Sequence, residues 1–229
     1  MIDIAENIKR VRDAISEAAL KSGRSCADIT LTAAAKTRSS DMIKRAIDAG
    51  VDAVGENRVQ EMLEKHAEGA YNGAPLHFIG HLQSNKVKQI VGICDLIESV
   101  DSTSLIELIS QRASARDIVQ NILIEVNIGK EPQKSGVLPE ETEKLLDFAS
   151  KSAGVKVLGL MAVPPVDGLS DKDCNYFEAM FNLYVDMSTK KYDNVSMEFL
   201  SVGMSDSYAQ AIQYGSNMVR IGTAIFGER

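Results

Sequence analysis

Residues 29–50 read I-T-L-T-A-A-A-K-T-R-S-S-D-M-I-K-R-A-I-D-A-G, and this stretch is the unit that repeats along the chain. Its first part, Ile29 to Ala35, is a short apolar run that predicts a buried strand. The S-S-D run at 39–41 can cap a helix, whose apolar residues recur at helical spacing until Gly50. The stretch therefore predicts one strand followed by one helix.

The same alternation continues to the end of the chain, and each later strand except the last is followed by a predicted helix. The later strands are V-D-A-V-G at 51–55, L-H-F-I-G at 76–80, D-L-I-E-S-V at 95–100, N-I-L-I-E-V-N-I at 121–128, V-K-V-L-G-L-M-A at 155–162, M-E-F-L-S-V at 197–202 and N-M-V-R-I-G at 217–222. Strict alternation favours right-handed crossovers and a parallel sheet, and eight such strands close a barrel. An open doubly wound sheet is the structural alternative.

A further helix, from Asp3 to Ser22, precedes the first strand, and the sequence shows no helix after the eighth. We therefore expect a single (β/α)8 TIM-type barrel in which this N-terminal helix takes the place of the last barrel helix. No linker or low-complexity stretch interrupts the pattern, which indicates one domain over residues 1–229.

Composition excludes several functional classes. The net charge of −7 disfavours nucleic-acid binding, which needs a basic face. The start of the chain is a charged amphipathic helix and not a signal peptide, and the apolar run at 157–166 is too short to span a bilayer. The cysteines, Cys26, Cys94 and Cys174, are three and far apart, which indicates a reducing compartment and a cytoplasmic protein.

Two histidines four residues apart, His77 and His81, raise the question of a metal site. The residues between them read as strand, so the pair is not on one helical face, and no third ligand is evident. We predict no metal site.

The loops after the seventh and eighth strands resemble a phosphate cradle. In this architecture phosphate sites favour these two loops. Strand seven brings Ser201, Gly203 and Ser205 to this edge, and strand eight brings Gly222 and Thr223. Glycine lets backbone approach oxygen atoms, hydroxyls donate hydrogen bonds, and the helix expected to begin near residue 206 would offer unpaired N–H groups. The alternative is that these are ordinary turn residues and a helix cap.

Lys36 ends the first strand with side-chain parity that points it into the barrel mouth, towards those loops. A lysine withdrawn from water there would have a lowered pKa. A neutral amine can attack an aldehyde and form a Schiff base. The alternatives are a lysine that extends to solvent at the strand end, or one paired with Glu56.

Arg220 shares the inward parity of strand eight. An aldehyde cofactor with a phosphate and a ring nitrogen is pyridoxal phosphate, and arginine is one of the residues that can meet its pyridine nitrogen. Arginine there would leave the nitrogen unprotonated and weaken the ring as an electron sink. The alternative is that Arg220 pairs with a core carboxylate such as Glu125 or Glu198.

With these residues in place, the sequence resembles the pyridoxal phosphate homeostasis protein family, whose barrel is similar to the N-terminal domain of alanine racemase. The matching motifs cover nearly the whole chain in order. They are A-A-A-K-T at 33–37, G-E-N-R-V-Q-E at 55–61, H-F-I-G-H-L-Q-S-N-K at 77–86, G-L-M-A-V-P-P at 159–165, S-V-G-M-S-D at 201–206 and V-R-I-G-T-A-I-F-G at 219–227.

The resemblance implies that Lys36 carries pyridoxal 5'-phosphate as a Schiff base and that Arg220 faces its pyridine nitrogen. It implies a full set of cofactor-binding residues: Lys36, Asn57, Ser201, Ser205, Arg220, Gly222 and Thr223. Arg58 stands where an aromatic residue is common in the family. Lys134, in the Q-K-S-G loop, is either a secondary cofactor contact or a solvated loop lysine.

The resemblance also implies a role in cofactor homeostasis, as a carrier or buffer that supplies apo-enzymes. A two-base racemase needs an acid/base on each face of the substrate carbon. In alanine racemase the second base is a tyrosine from an additional domain, which has no counterpart in these 229 residues, and Tyr208 is the one tyrosine near a strand-end motif. We therefore expect a monomeric, non-catalytic carrier. A weak racemase or lyase, and a cofactor-free Schiff-base aldolase, are the alternatives.

Overall fold

Eight parallel strands form a closed barrel in the computed structural model, which describes residues 3–165 and 171–228. Strand order follows chain order, and the first strand pairs with the last through Thr30–Met218 and Thr32–Arg220. The predicted barrel is confirmed. The strands are β1 (Thr30–Ala34), β2 (Ala53–Glu56), β3 (Leu76–Phe78), β4 (Leu96–Val100), β5 (Gln120–Glu125), β6 (Val155–Met161), β7 (Val195–Ser201) and β8 (Met218–Ile221).

Helices surround the barrel. In the described part of the chain they are α1 (Ile4–Lys21), α2 (Ser40–Asp48), α3 (Val59–Ala67), α4 (Val87–Ile90), α5 (Thr103–Ser114), α6 (Thr142–Ser150), α7 (Asp171–Thr189), α8 (Tyr208–Gln213) and α9 (Thr223–Phe226). The helical segment between β3 and β4 is short. Gln83 is extended, with φ −70° and ψ 138°, so only a 3-10 turn at Ser84–Lys86 and α4 remain helical.

The prediction that no helix follows the eighth strand was wrong, because α9 begins at Thr223. It is only four residues long, and the N-terminal helix takes the place of the last barrel helix, as expected. Helix α1 packs against α2, α8 and α9, and the Asn7 side-chain amide donates to the Ile225 carbonyl at 2.8 Å. Asp3 caps the start of α1, and Gly23, with φ 70°, follows its end.

Helix α1 is held by an apolar stripe at helical spacing, and each of its residues is almost completely buried. Burying one such side chain contributes roughly 1.5–3 kcal/mol, so this stripe explains how a helix outside the repeating units is fixed to the barrel. The residues of the stripe are Ile4, Ile8, Val11 and Ile15.

Side-chain alternation along the strands separates an inner from an outer layer. The outer layer lies between strands and helices and forms the larger core, which includes Leu31, Val54 and Ile97. The inner layer is a smaller cluster within the barrel: Leu96, Leu123, Leu158, Met161 and Met218. Polar side chains continue this inner layer towards the carboxyl ends of the strands, where the predicted site lies.

No helix among residues 3–165 and 171–228 combines the length and the hydropathy that a bilayer span requires. Across the same residues, His, Cys, Asp and Glu side chains form no group of three or more that could hold a metal ion. Cys26 is an exposed thiol and Cys94 a buried one, while Cys174 lies where side chains are not described.

Candidate functional site

Lys36 lies just beyond the rim of the barrel. Strand β1 ends at Ala34, and the chain then turns, with the Arg38 N–H donating to the Ala35 carbonyl at 3.0 Å. Lys36 is therefore exposed. The prediction that it is withdrawn from solvent was wrong, because the strand stops two residues before it and places it in a turn at the mouth.

The turn is supported from behind by an ion cluster that sequence reasoning missed. We define the α3 clamp as Glu56, Glu61 and Lys65. The Lys65 ammonium lies 2.7 Å from a Glu56 carboxylate oxygen and 2.6 Å from one of Glu61. Glu56, which the sequence offered as an alternative partner of Lys36, thus pairs with Lys65. The Tyr71 hydroxyl donates to the same Glu56 oxygen at 3.0 Å.

Burial raises the pKa of Glu56, and the nearby Glu61 charge adds to that effect against the opposing influence of Lys65. One carboxylate oxygen of Glu56, Oε2, is buried without a hydrogen-bond partner. A signal for this cluster existed in the sequence, since Glu56 is a carboxylate at the end of an apolar strand.

The loops after β7 and β8 meet as predicted. The Ser205 hydroxyl oxygen accepts hydrogen bonds from the Gly222 N–H and the Ala224 N–H, each at 3.3 Å. Both N–H groups belong to the start of α9, and Thr223 between them is exposed. Helix α8 begins at Tyr208, two residues later than predicted.

Gly222 lies in close contact with the end of β1. A Cβ atom on it would lie 3.2 Å from the Ala34 carbonyl oxygen and 3.5 Å from the Ala34 Cβ. The backbone of the β8 loop therefore runs directly against the end of β1, two residues before Lys36. Ser205, Gly222, Thr223 and Lys36 are thus brought to one side of the barrel mouth.

Arg220 lies inside the barrel beneath this side. It is 4% exposed and donates to the Ser201 carbonyl at 2.8 Å, the Ser201 hydroxyl at 2.5 Å and the Ala162 carbonyl at 2.9 Å. Its guanidinium lies 3.7 Å from Glu98. Burial lowers the pKa of Arg220, while Glu98 and Glu125 oppose that change. The alternative pairing with a core carboxylate is realised with Glu98, whereas Glu198 lies on the surface.

Glu98, on β4, organises this interior group and was also missed. One oxygen accepts from the Ser201 hydroxyl at 2.6 Å, and the other is 2.8 Å from His77 Nδ1. Burial alone would raise the pKa of Glu98, but His77, Arg220 and Ser201 together lower it below its usual range. We call Glu98, His77, Ser201 and Arg220 the interior network. Ser201 thus belongs with Arg220, and Ser205 with the β8 loop.

Asn57 follows β2 and packs against the β3 loop. A Cβ atom on Gly80 would lie 2.3 Å from the Asn57 carbonyl oxygen, so only glycine fits there. The Asn57 side-chain oxygen is buried and has no hydrogen-bond partner. An unpaired buried acceptor at a strand end is consistent with a residue that waits for a ligand.

Glu125, at the end of β5, is a further acid on the inner face of the mouth. Burial, reinforced by the Asp101 charge and opposed by Arg220, raises the pKa of Glu125 to about 7. Its Oε2 is buried without a partner. The sequence suggested Glu125 only as a partner for Arg220, and its own titration was not foreseen.

Lys134 is occupied within its own loop. Its ammonium lies 2.5 Å from a Glu131 carboxylate oxygen. Asn127 holds that loop through its side chain, donating to the Glu131 carbonyl at 2.8 Å and accepting from the Glu131 N–H at 3.1 Å. Ser135 is hydrogen-bonded to His81 Nδ1 at 3.1 Å. The contacts of Lys134 therefore match the loop alternative.

Comparison with known sequences places this geometry in context. The family model described as "Alanine racemase, N-terminal domain" matches residues 3–229. A protein of Aquifex aeolicus named "Pyridoxal phosphate homeostasis protein" is 39% identical over 228 residues, covering 100% of this chain and 99% of that protein. The protein of the same name from Escherichia coli K12 is 38% identical, with 100% and 98% coverage.

Solved structures agree with the barrel. An unknown protein from Bifidobacterium adolescentis is 34% identical, with a TM-score of 0.91 over 99% of this chain and 98% of that one. PipY of Synechococcus elongatus, solved with PLP bound, is 27% identical, with a TM-score of 0.85 and coverage of 98% and 100%. An alanine racemase of Clostridium difficile, at 16% identity and a TM-score of 0.75, shares the fold over 97% of this chain and 58% of its own.

Proposed function

Because the chain belongs to the pyridoxal phosphate homeostasis protein family, we propose that it binds pyridoxal 5'-phosphate at the barrel mouth and acts in the homeostasis of this cofactor. The observation that carries the proposal is the pairing of Ser205 with the Gly222 and Ala224 N–H groups. Those groups form the start of a short helix after β8, the place where barrels of this type hold phosphate, and they lie against the end of β1.

The residues at the mouth fit the cofactor. In the proposed arrangement Ser205, Gly222 and Thr223 hold the phosphate. Lys36 would anchor the cofactor through its amine, which is a group that can bond covalently to an aldehyde carbon. When bound, the cofactor supplies a conjugated ring that can accept electrons from a substrate carbon. Asn57 offers an unpaired buried oxygen at the next strand end.

Arg220 has a supporting part in this proposal. Its position is fixed by Ser201, Ala162 and Glu98, so its guanidinium is held in the barrel interior below the mouth. Arginine remains protonated and can only donate hydrogen bonds. If the ring nitrogen of the cofactor lay beside Arg220, the guanidinium would donate to it, and the cofactor would be a weaker electron acceptor.

We propose a carrier or buffer in preference to a weak racemase or lyase. A second base would be needed for racemisation. Tyr208, the tyrosine nearest the phosphate loops, has a pKa raised by burial, so it stays protonated and is a poor base near neutral pH. The names of the curated relatives refer to homeostasis and to no reaction.

The proposal includes partners and location. Apo-enzymes that require the cofactor would receive it, and the free thiols of Cys26 and Cys94 suit a reducing cytoplasm. We propose one domain and a monomer. In support of one domain, all eight strands close one barrel and the helices pack around it.

The test begins with the visible absorbance of the purified protein after addition of pyridoxal phosphate. Borohydride reduction and peptide mapping then locate the label. We expect a yellow protein labelled at Lys36, no band in Lys36→Ala, and an unchanged band in the loop control Lys134→Ala. A colourless wild-type protein with Lys36 unlabelled would refute the proposal. Exchange of an amino acid's α-proton with solvent deuterium, lost in Lys36→Ala, would favour the weak enzyme.

A further inference from the structure

The two peptide bonds that flank Lys36 are both held by the α3 clamp. On one side, the Ala35 carbonyl accepts a hydrogen bond from the Lys65 ammonium at 3.1 Å. On the other, the Thr37 N–H donates to a Glu61 carboxylate oxygen at 2.6 Å. The backbone is therefore held on both sides of Lys36 by charge-assisted hydrogen bonds, which are stronger than neutral ones.

The clamp itself is largely buried. Glu61 and Lys65 are one turn apart on α3, and their side chains are 20% and 9% exposed. Glu56, completely buried at the end of β2, anchors the Lys65 ammonium from below. A lysine that is bonded to two carboxylates and a carbonyl has all three donor positions occupied, so the ammonium has a single orientation.

Thr37 shows why the turn needs such support. Its φ of 64° is in the left-handed region, which is unfavourable for a β-branched residue. A conformation of this kind persists only where the surroundings enforce it. The Glu61 carboxylate supplies an acceptor at the Thr37 N–H, and its loss removes one of the hydrogen bonds that fix the backbone on either side of Lys36.

We propose that Glu61 and Lys65 are positioning residues for Lys36, which fix the direction of its side chain towards the β7 and β8 loops and so set how tightly the cofactor is held. This inference rests on the proposed function, because it concerns the residue that would bond to the cofactor. It adds two residues that touch neither the phosphate loops nor the interior network.

The experiment is a titration with pyridoxal phosphate, followed by visible absorbance, on wild type, Glu61→Gln and Glu61→Leu. Losing a hydrogen bond to a charged group should weaken binding by about tenfold or more in Glu61→Leu. The amide oxygen of Glu61→Gln still accepts from Thr37 but carries no charge, so its loss should be about threefold. Glu64→Leu is the matched control, since Glu64 is exposed on the same helix, and it should bind as wild type does.

Two further measurements separate positioning from general stability. The wavelength and pH midpoint of the visible band report the surroundings of the Lys36 nitrogen, and we expect both to shift in the Glu61 variants but not in Glu64→Leu. Thermal unfolding of the same samples shows which variants are folded. If Glu61→Leu does not fold, Glu61→Gln carries the test alone.

The outcomes are distinguishable from those of the proposed function. A wild-type protein without a visible band refutes the proposed function itself. A wild-type band, together with unchanged affinity and unchanged band in every folded Glu61 variant, overturns only the positioning role. A graded loss from wild type through Glu61→Gln to Glu61→Leu supports it.

Discussion

Glu56 and Glu98 are two completely buried glutamates on opposite faces of the same barrel wall. Glu56 shares the outward parity of Val54 and lies between β2 and α3, where Lys65 reaches it. Glu98 shares the inward parity of Leu96 and lies inside the barrel beside Arg220. The same residue type, at the same depth, thus occurs in two environments.

Their ionisation differs in direction. The pKa of Glu98 is lowered although burial opposes this, because each of its oxygens has a hydrogen-bond partner and Arg220 adds a positive charge. The pKa of Glu56 is raised, because burial dominates, Glu61 repels its charge and one oxygen has no partner. Partners on both oxygens, rather than depth, therefore decide the charge state of a buried carboxylate.

The contrast suits the two proposed tasks. The interior network holds Arg220 in one place below the barrel mouth. In the α3 clamp, the Lys65 ammonium bonds to both carboxylates. Its third donor bonds to the Ala35 carbonyl, in the turn that carries Lys36. The clamp therefore depends on Lys65 more than the interior network depends on any one donor.

The largest predicted effect follows from removing that lysine. Lys65→Met leaves Glu56 and Glu61 close together without a cation, and loss of one partner from a buried ion pair typically costs about 3–5 kcal/mol. We expect a loss of this size in the free energy of unfolding, measured with urea at pH 7.

A surface pair and a double variant calibrate that result. Lys151→Met breaks the exposed pair with Asp147, which should change stability by less than about 1 kcal/mol. Adding Glu56→Leu to Lys65→Met should recover part of the loss, since an apolar pair needs no desolvated charge. If Lys65→Met matched Lys151→Met, the clamp would contribute nothing to stability.

Glu125 extends the comparison to a third carboxylate. Like Glu56 it has an unpartnered oxygen, and its pKa of about 7 exceeds its usual value of 4.5. Because the pKa of Glu125 is raised in the folded state, the contribution of Glu125 to stability is fully present below about pH 4.5 and is lost as the pH rises through about 7. A difference of one unit between the folded and unfolded pKa values corresponds to about 1.4 kcal/mol. Glu125→Gln should therefore raise the free energy of unfolding at pH 8 by up to ~3 kcal/mol, with little gain at pH 4.

Glu98→Gln is the counterpart with the opposite sign. A lowered folded-state pKa gives stability that is present above about pH 4.5 and lost as the pH falls below it. Unfolding should therefore show Glu98→Gln as destabilising at pH 7 and progressively less so in acid. Equal pH profiles for the two variants would contradict the assignment of opposite shifts.

The barrel was predictable because its signals are local. Apolar runs, helix caps and glycines recur in each β/α unit, and eight repeats admit few arrangements. The end of the pattern was harder to predict. The four-residue helix α9 is too short for periodicity to reveal, and the start of α8 at Tyr208 was displaced by two residues. Both misses lie in the loops that bring the predicted phosphate residues together.

The strand ends that form the candidate site could be predicted from the sequence, but the contacts beneath them could not. Lys36, Ser205 and Gly222 follow from loop position in the fold. The partners of Arg220 do not, because Glu98 and Ser201 are 103 residues apart in sequence and meet across the barrel interior. Carboxylates on apolar strands mark such positions, although parity alone does not tell which donor each will find. The predicted strand reached Lys36. Strand β1 ends two residues earlier, at Ala34, so Lys36 lies in the turn that follows.

The smallest predicted effects compare the two hydroxyl donors directly. Ser201→Ala removes the hydroxyl at 2.6 Å from one oxygen of Glu98, and Tyr71→Phe removes the hydroxyl at 3.0 Å from Glu56. The charged form of Glu98 is favoured, and in Ser201→Ala that oxygen would keep no other hydrogen bond. The free energy of unfolding should therefore fall by about 1.5–3 kcal/mol. The Glu56 oxygen retains Lys65, so Tyr71→Phe should cost about 0.5–1.5 kcal/mol. Urea unfolding of both variants at pH 7 measures the difference, and a larger loss for Tyr71→Phe would mean that Lys65 alone does not satisfy Glu56.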